Sequence, residues 1–350
     1  MSNIVRNRKQ ASLVMASSAG KRGERLCLFA LHGTEGLGEK IGHVLGCGLG
    51  ALEERRFEDG EHKVRPLERV AGCDVYVLHS LHGGPDESPN DKLCRLLFLV
   101  GALKDAGAAR VTAVTPYLCY ARKDRRTKAN DPVTIRYLAT MFEAAGVDAV
   151  VTLEVHNEAA FENAFRCPSV ALSTAPLLIG RIKAIAADRP ISVISPDLGG
   201  GKRADLLREV LEKALGRPIG KAFVEKHRSS GIVSGDLFAG EVANSLCVVV
   251  DDLISSGGTL VRAAKAARVH GAQEVIACVA HGLFMPGADT TLADPAIDRI
   301  IATDSVPPFR LPPGPVHSKL EIVSAAPLLA ETIRRLHQRE ALTDLLPYQE

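Results

Sequence analysis

Short apolar runs dense in Val, Ile and Ala alternate with segments of helical period, and the alternation passes along the chain twice. Leu26–Leu31, Val75–His79, Val111–Pro116, Ala149–Leu153, Ile191–Ser195, Lys221–Val224, Ser245–Val250 and Val275–Ala280 read as strands. Asp91–Ala106, Pro132–Ala145, Gly201–Ala214 and Thr259–His270 read as helices between them. A strand that is apolar at every position is buried on both faces, which requires a parallel sheet covered by its crossover helices. The pattern breaks near residues 160–175, so two α/β domains are expected, each a mainly parallel sheet flanked by helices. The expected boundaries are a flexible tail over 1–24, domains over 25–165 and 166–330, and a tail over 331–350. A length of 350 residues suits two domains.

Sheets of this kind bind ligands where strands run out at their carboxyl ends into helices. One such place carries unusual chemistry. The run Cys247–Val250 is followed by Asp251, Asp252, Leu253, Ile254, Ser255, Ser256, Gly257, Gly258 and Thr259, and then by a helical pattern. Glycines let the backbone approach an anion, and the N–H groups at a helix start point toward it. Ser255, Ser256 and Thr259 add hydroxyl donors. Asp251 and Asp252 suit the two hydroxyls of a ribose, or a metal held by them. A capped turn with Asp251 solvated is the plainer alternative. GxxxxGK and GxGxxG are both absent, which excludes the Walker and dinucleotide loops.

This block resembles the phosphoribosyl-binding loop shared by phosphoribosyltransferases and ribose-phosphate pyrophosphokinases, and other segments resemble the pyrophosphokinases alone. Phe57-Glu58-Asp59-Gly60-Glu61 is similar to the family's FxDGE segment, which implies that Phe57, Asp59 and Glu61 reach the ATP site of a neighbouring subunit. Pro116–Arg126 is similar to PYxxYARxDR, implying ATP contacts from Arg122, Lys123, Asp124 and Arg125. Glu154-Val155-His156 resembles the Asp-x-His stretch, and Ser195–Gly200 resembles SPDxGG. From these the resemblance implies His156 and Asp197 as partners of Mg²⁺, with Asp197 also near the ribose. Lys226 and Arg228 match the Lys-x-Arg of the family's mobile catalytic loop. The implied architecture is two phosphoribosyltransferase-like domains. The implied reaction moves pyrophosphate from ATP to the 1-hydroxyl of ribose 5-phosphate, in a homo-oligomer built from dimers whose ATP site lies between subunits. Residues 251–252 and 255–259 then bind ribose 5-phosphate.

The chemistry agrees with these roles. Pyrophosphoryl transfer gathers charge on non-bridging oxygens, so catalysis is positioning plus neutralisation by Mg²⁺, Lys and Arg. His79 and His82 follow a strand and either border a pyrophosphate site or form a turn. The chain departs from the commonest family pattern at Ser255-Ser256, where Asp-Thr is usual, at Lys123 for Gln, at Glu154 for Asp and at His227. The SGGT form resembles plant-type class II members. Two readings compete: a phosphoribosyltransferase, which leaves Phe57–Glu61, Arg122–Arg126 and a second α/β domain unexplained, and a non-catalytic subunit of the same fold, against which Lys226, Arg228, His156, Asp197 and both loop aspartates stand.

A net charge of +2 gives no reason for a nucleic-acid partner, and no run is long and apolar enough for a membrane helix. The eight cysteines are scattered without a CxxC pair and read as buried free thiols of a cytoplasmic protein.

Overall fold

The computed structural model describes residues 24–229 and 232–346, with the backbone alone for residues 225–229 and 232–236. It divides into two compact units. The first comprises residues up to Ala171 together with Leu329–Leu342, and the second Leu172–Leu328 together with the residues after Leu342.

In the first unit the order is β1 (Leu26–Ala30), α1 (Glu35–Leu45), β2 (Leu52–Arg56), β3 (His62–Pro66), β4 (Asp74–Leu78), α2 (Pro89–Asp105), β5 (Arg110–Thr115), α3 (Thr134–Ala144), β6 (Ala149–Leu153), α4 (Glu158–Ala164) and β7 (Ser169–Leu172). The main sheet runs β1-β4-β5-β6-β7, and β1, β4, β5 and β6 pair in parallel. β2 and β3 form a separate antiparallel hairpin. β7 joins this sheet, so the division falls after residue 171, where the sequence pointed to 165. The helices start where local chemistry permits: Ser88 and Asp91 form a capping box on α2, with Pro89 at the first helical position.

The second unit holds α5 (Ala175–Ala186), β8 (Ile191–Ser195), α6 (Gly201–Leu215), β9 (Gly220–Ser229), β10 (Ile232–Gly240), β11 (Leu246–Ile254), α7 (Gly258–Val269), β12 (Glu274–Gly282), α8 (Ala288–Leu292), β13 (Arg299–Thr303), α9 (Pro315–Lys319), β14 (Leu320–Val323) and the start of α10 (Ala326–Gln338). Its sheet runs β10-β9-β8-β11-β12-β13-β14, parallel except for the edge strand β10. The continuous apolar run of β11 is explained by its two faces. Cys247 and Val249 enter one core, while Leu246, Val248 and Val250 enter another beneath α5 and α6. Each fully buried Val contributes about 1.5–3 kcal/mol relative to exposure.

Two readings from sequence are corrected here. Residues 331–338 are helix, not tail. Lys226 and Arg228 lie on strand β9, not in a loop, because β10 folds back antiparallel and pairs Asp236 with Lys226 and Val233 with Arg228. The end of α10 is held within the first unit by a buried carboxylate. Asp74 accepts from Arg110 Nε at 2.8 Å and Nη2 at 2.7 Å, from the Tyr76 hydroxyl at 3.1 Å, and pairs with His337 Nδ1 at 2.8 Å. Arg110 also donates to the Leu336 carbonyl at 3.0 Å. Of the cysteines, Cys94 is exposed and Cys47 and Cys167 are half-buried, against the expectation of general burial; all eight are unpaired. The expected N-terminal tail, residues 1–24, lies outside the described residues but for Glu24.

Candidate active site

In the second unit, β11 delivers Asp251 and Asp252 to the carboxyl edge of the sheet, and the chain turns through Ser255–Gly257 into α7. The turn depends on Gly257. Its φ is +84°, and a Cβ there would stand 2.5 Å from Leu292 Cδ2. Gly258 opens the helix with only Ser256 Oγ, at 4.0 Å, near the place of a Cβ. The turn is backed by Met285 N, which donates to the Ser255 carbonyl at 2.9 Å, and by Leu283 N, which donates to the Ile254 carbonyl at 3.0 Å. Ser256 and Gly258 are exposed, and Ser255 and Thr259 are half-buried. The result is an open loop at a helix start with hydroxyls around it, the arrangement expected of a phosphate cradle.

The aspartates differ. Asp252 is buried and accepts from Leu253 N at 3.0 Å; Asp251 accepts from Asp252 N at 2.9 Å. Burial first, and the Asp252 charge next, push the Asp251 carboxyl up to about 7. Arg203, near the start of α6, opposes this from 3.6 Å. The loop before α6 is tightly folded. Ser195 Oγ donates to the Asp197 carbonyl at 2.6 Å, and Gly200 N donates to Asp197 Oδ1 at 2.9 Å. Arg262 Nη2 on α7 reaches the Pro196 carbonyl at 3.5 Å. The structure thus brings Asp197, Asp251, Asp252 and Ser255–Thr259 to one edge of one unit. Arg203 and Arg262 are additions that sequence reading missed. Each lies in an amphipathic helix, where a cation reads as solvated surface.

In the first unit, the basic run follows β5. Arg122 and Arg125 are exposed, and neither has an ion-pair partner among the described residues. Lys123 is committed elsewhere, its Nζ standing 2.8 Å from Asp131 Oδ2. Asp124 accepts from Asn157 Nδ2 at 2.7 Å, which ties this loop to the segment carrying His156. Asn157 also caps α4 through Ala160 N at 3.2 Å. Glu154 holds φ +32°, uncommon for a residue other than glycine, between strand β6 and exposed His156. Phe57–Glu61 forms the exposed turn of the β2–β3 hairpin: Phe57 N donates to the Glu61 carbonyl at 2.7 Å, Glu61 N to Asp59 Oδ1 at 3.1 Å, and Gly60 takes φ +94°. His79 and His82 are both buried. Neither ring nitrogen of His79 has a hydrogen-bond partner, and burial, followed by Lys92 and Arg95, drives its pKa well below the ordinary value.

No group of three or more His, Cys, Asp or Glu among the described residues is placed to cage a metal. The oxygen-rich edge with Asp197, Asp251 and Asp252 suits instead a hard cation that keeps most of its waters and substrate phosphates.

The chain is similar to known proteins along most of its length. The family model described as the N-terminal domain of ribose phosphate pyrophosphokinase matches residues 26–146. That of the phosphoribosyl synthetase-associated domain matches residues 232–347. The ribose-phosphate pyrophosphokinase of Shewanella oneidensis is 35% identical over 324 residues, 92% of this chain and 98% of that protein. The one from Clostridium perfringens is 35% identical over 313 residues, 88% of this chain and 93% of that protein. The crystal structure of phosphoribosylpyrophosphate synthetase from Mycobacterium smegmatis superposes with a TM-score of 0.79 at 32% identity, covering 90% of this chain and 100% of that one.

Proposed function

This chain belongs to the ribose-phosphate pyrophosphokinase family, and from that premise we propose that it moves a pyrophosphoryl group from ATP to the 1-hydroxyl of ribose 5-phosphate, releasing AMP. Its products are then 5-phosphoribosyl 1-diphosphate and AMP. The observation that carries this reading is the loop after β11, a glycine turn with free hydroxyls directly behind a pair of strand-end aspartates.

The residues divide the work. Ser255, Ser256, Gly257, Gly258 and Thr259 hold the 5-phosphate, and Asp251 and Asp252 accept the ribose hydroxyls. An Asp251 carboxyl pushed toward neutrality by burial regains its charge when a hydroxyl donor or a cation reaches it. Arg122 and Arg125 grip the triphosphate, for which a planar guanidinium offers two parallel hydrogen bonds. Asp124 orients this loop through Asn157. Lys226 and Arg228 neutralise the charge that develops on the transferring group. Mg²⁺, when bound, would supply neutralisation of the charge on the phosphates. In the second unit Asp197 would hold that ion, directly or through water, and His156 is the first unit's own candidate metal partner.

The exposed hairpin turn with Phe57, Asp59 and Glu61 supports a homo-oligomer, a dimer or assembly of dimers, in which this turn completes the ATP site of a second copy. The SGGT turn supports kinship with class II members. No described helix is long and apolar enough to cross a membrane, and the eight unpaired cysteines suit the cytoplasm.

The test is AMP release from ATP by the purified protein, dependent on ribose 5-phosphate. Lys226→Ala is expected to lower kcat at least about 100-fold with little change in the KM for ribose 5-phosphate, because its contact forms mainly in the transition state. An unchanged kcat removes Lys226 from the mechanism. Incubation of 5-phosphoribosyl 1-diphosphate with free bases separates the reading from a phosphoribosyltransferase.

A further inference from the structure

Arg122, Lys123, Arg125, Arg126 and Lys128 crowd into seven residues. Like charges this dense repel one another and leave a loop open. This loop is instead closed by one acid. Asp131 Oδ2 lies 2.8 Å from Lys123 Nζ, 2.7 Å from Thr127 Oγ1, and 3.0 Å from both Thr127 N and Lys128 N. The Asp131 backbone joins in: its carbonyl accepts from Arg126 Nε at 3.2 Å, and its N–H donates to the Lys128 carbonyl at 3.3 Å. Lys123, chiefly, and the Thr127 donors hold the Asp131 carboxyl below the usual carboxylate range. The same acid sorts the cations. Lys123 is spent on the loop, while Arg122 and Arg125 are left with no ion-pair partner among the described residues.

We propose that Asp131 is the positioning residue of the nucleotide loop: it closes residues 123–131 on itself, withdraws Lys123 from phosphate contact, and so presents Arg122 and Arg125 to the triphosphate. The proposal rests on the reading of Arg122 and Arg125 as ATP ligands.

A plain electrostatic view and this one differ in sign. Removing a negative charge beside an anionic ligand strengthens binding by attraction, and the gain fades with salt. Removing the hub of a folded loop weakens binding, because ATP must then order the loop itself, and salt does not restore it. The assay is calorimetric titration of the full chain with a non-hydrolysable ATP analogue and Mg²⁺, at low and high ionic strength, together with steady-state AMP release. Asp131→Asn is expected to weaken analogue binding roughly tenfold at both salt levels, the ordering cost of one or two side chains. The KM for ATP rises in step, while kcat and the KM for ribose 5-phosphate stay within about twofold. Asp131→Glu recovers most of the affinity, and Thr127→Val, which removes a single donor, falls between. Unchanged or tighter binding by Asp131→Asn overturns the proposal. Arg125→Ala keeps the two ideas apart. If it loses affinity while Asp131→Asn does not, only the positioning role of Asp131 falls. If Arg125→Ala binds like the wild type, the nucleotide reading falls and takes the proposal with it.

Discussion

Gly257→Ala strikes the phosphate turn at a point where the structure supplies both terms of the cost. The backbone there has φ +84°, a region in which an L-residue loses roughly 1–2 kcal/mol. The added methyl also lands 2.5 Å from Leu292 Cδ2, far inside carbon contact distance. Leu292 is fully buried on α8, so its side chain must repack against the new methyl, and overpacking adds about 1–3 kcal/mol. The expected loss is therefore about 2–5 kcal/mol of unfolding free energy, read as a lower urea midpoint. Gly258→Ala is the internal control. Its Cβ has nothing nearer than 4.0 Å, and it lies at a helix start, so its change stays within about 1 kcal/mol and leans toward stabilisation. Leu292→Ala separates the two terms: combined with Gly257→Ala, it is expected to cost less than the sum of the single changes by roughly the overpacking share. In the folded fraction of Gly257→Ala, the KM for ribose 5-phosphate rises by about tenfold or more, as the cradle is displaced. Equal losses for Gly257→Ala and Gly258→Ala, or strict additivity with Leu292→Ala, would refute the argument.

Three further perturbations test other parts of the molecule. His79→Leu removes a buried ring with no hydrogen-bond partner and is expected to hold or raise stability by about 1–2 kcal/mol. Because the folded ring resists protonation, wild-type stability falls as pH drops below the unfolded value of about 6.5; the variant should show a flatter limb there, and an unchanged limb counts against the assignment. Asp251→Asn tests the carboxyl raised to about 7: ionising it costs the fold more as pH climbs from about 4 to 7, so the unliganded variant should gain on the order of 4 kcal/mol at pH 8 and converge with wild type near pH 4. A variant less stable than wild type at pH 8 would contradict the sign. Arg110→Met strips the bidentate partner from buried Asp74 and should lose about 3 kcal/mol in urea unfolding, with early hydrogen exchange over residues 329–338; a loss under about 1 kcal/mol means the pairing contributes little.

Much of the site was already written in the order of residues. A strand that is apolar on both faces, a break to Asp251-Asp252, then Gly257 before a helical period, gives an anion loop at a sheet edge from local rules alone. The same rules put the starts of α2, α6 and α7 within two residues of where they lie, because capping residues and glycines act on their own neighbours. Tertiary structure decided what depends on distant partners. Lys226 reads as loop beside Ser-Ser-Gly, yet stands on β9 because β10, ten residues on, supplies the hydrogen bonds. The last helix reads as a tail until Arg110 and Asp74, more than two hundred residues earlier, are seen to hold Leu336 and His337. Five clustered cations look equivalent along the chain, and only the folded loop shows that Asp131 consumes Lys123 and leaves Arg122 and Arg125 open. Hydrophobic period and turn chemistry are carried by near neighbours and survive in one dimension. Ion pairing and strand partnering are set by which residues meet in space, which the sequence does not state.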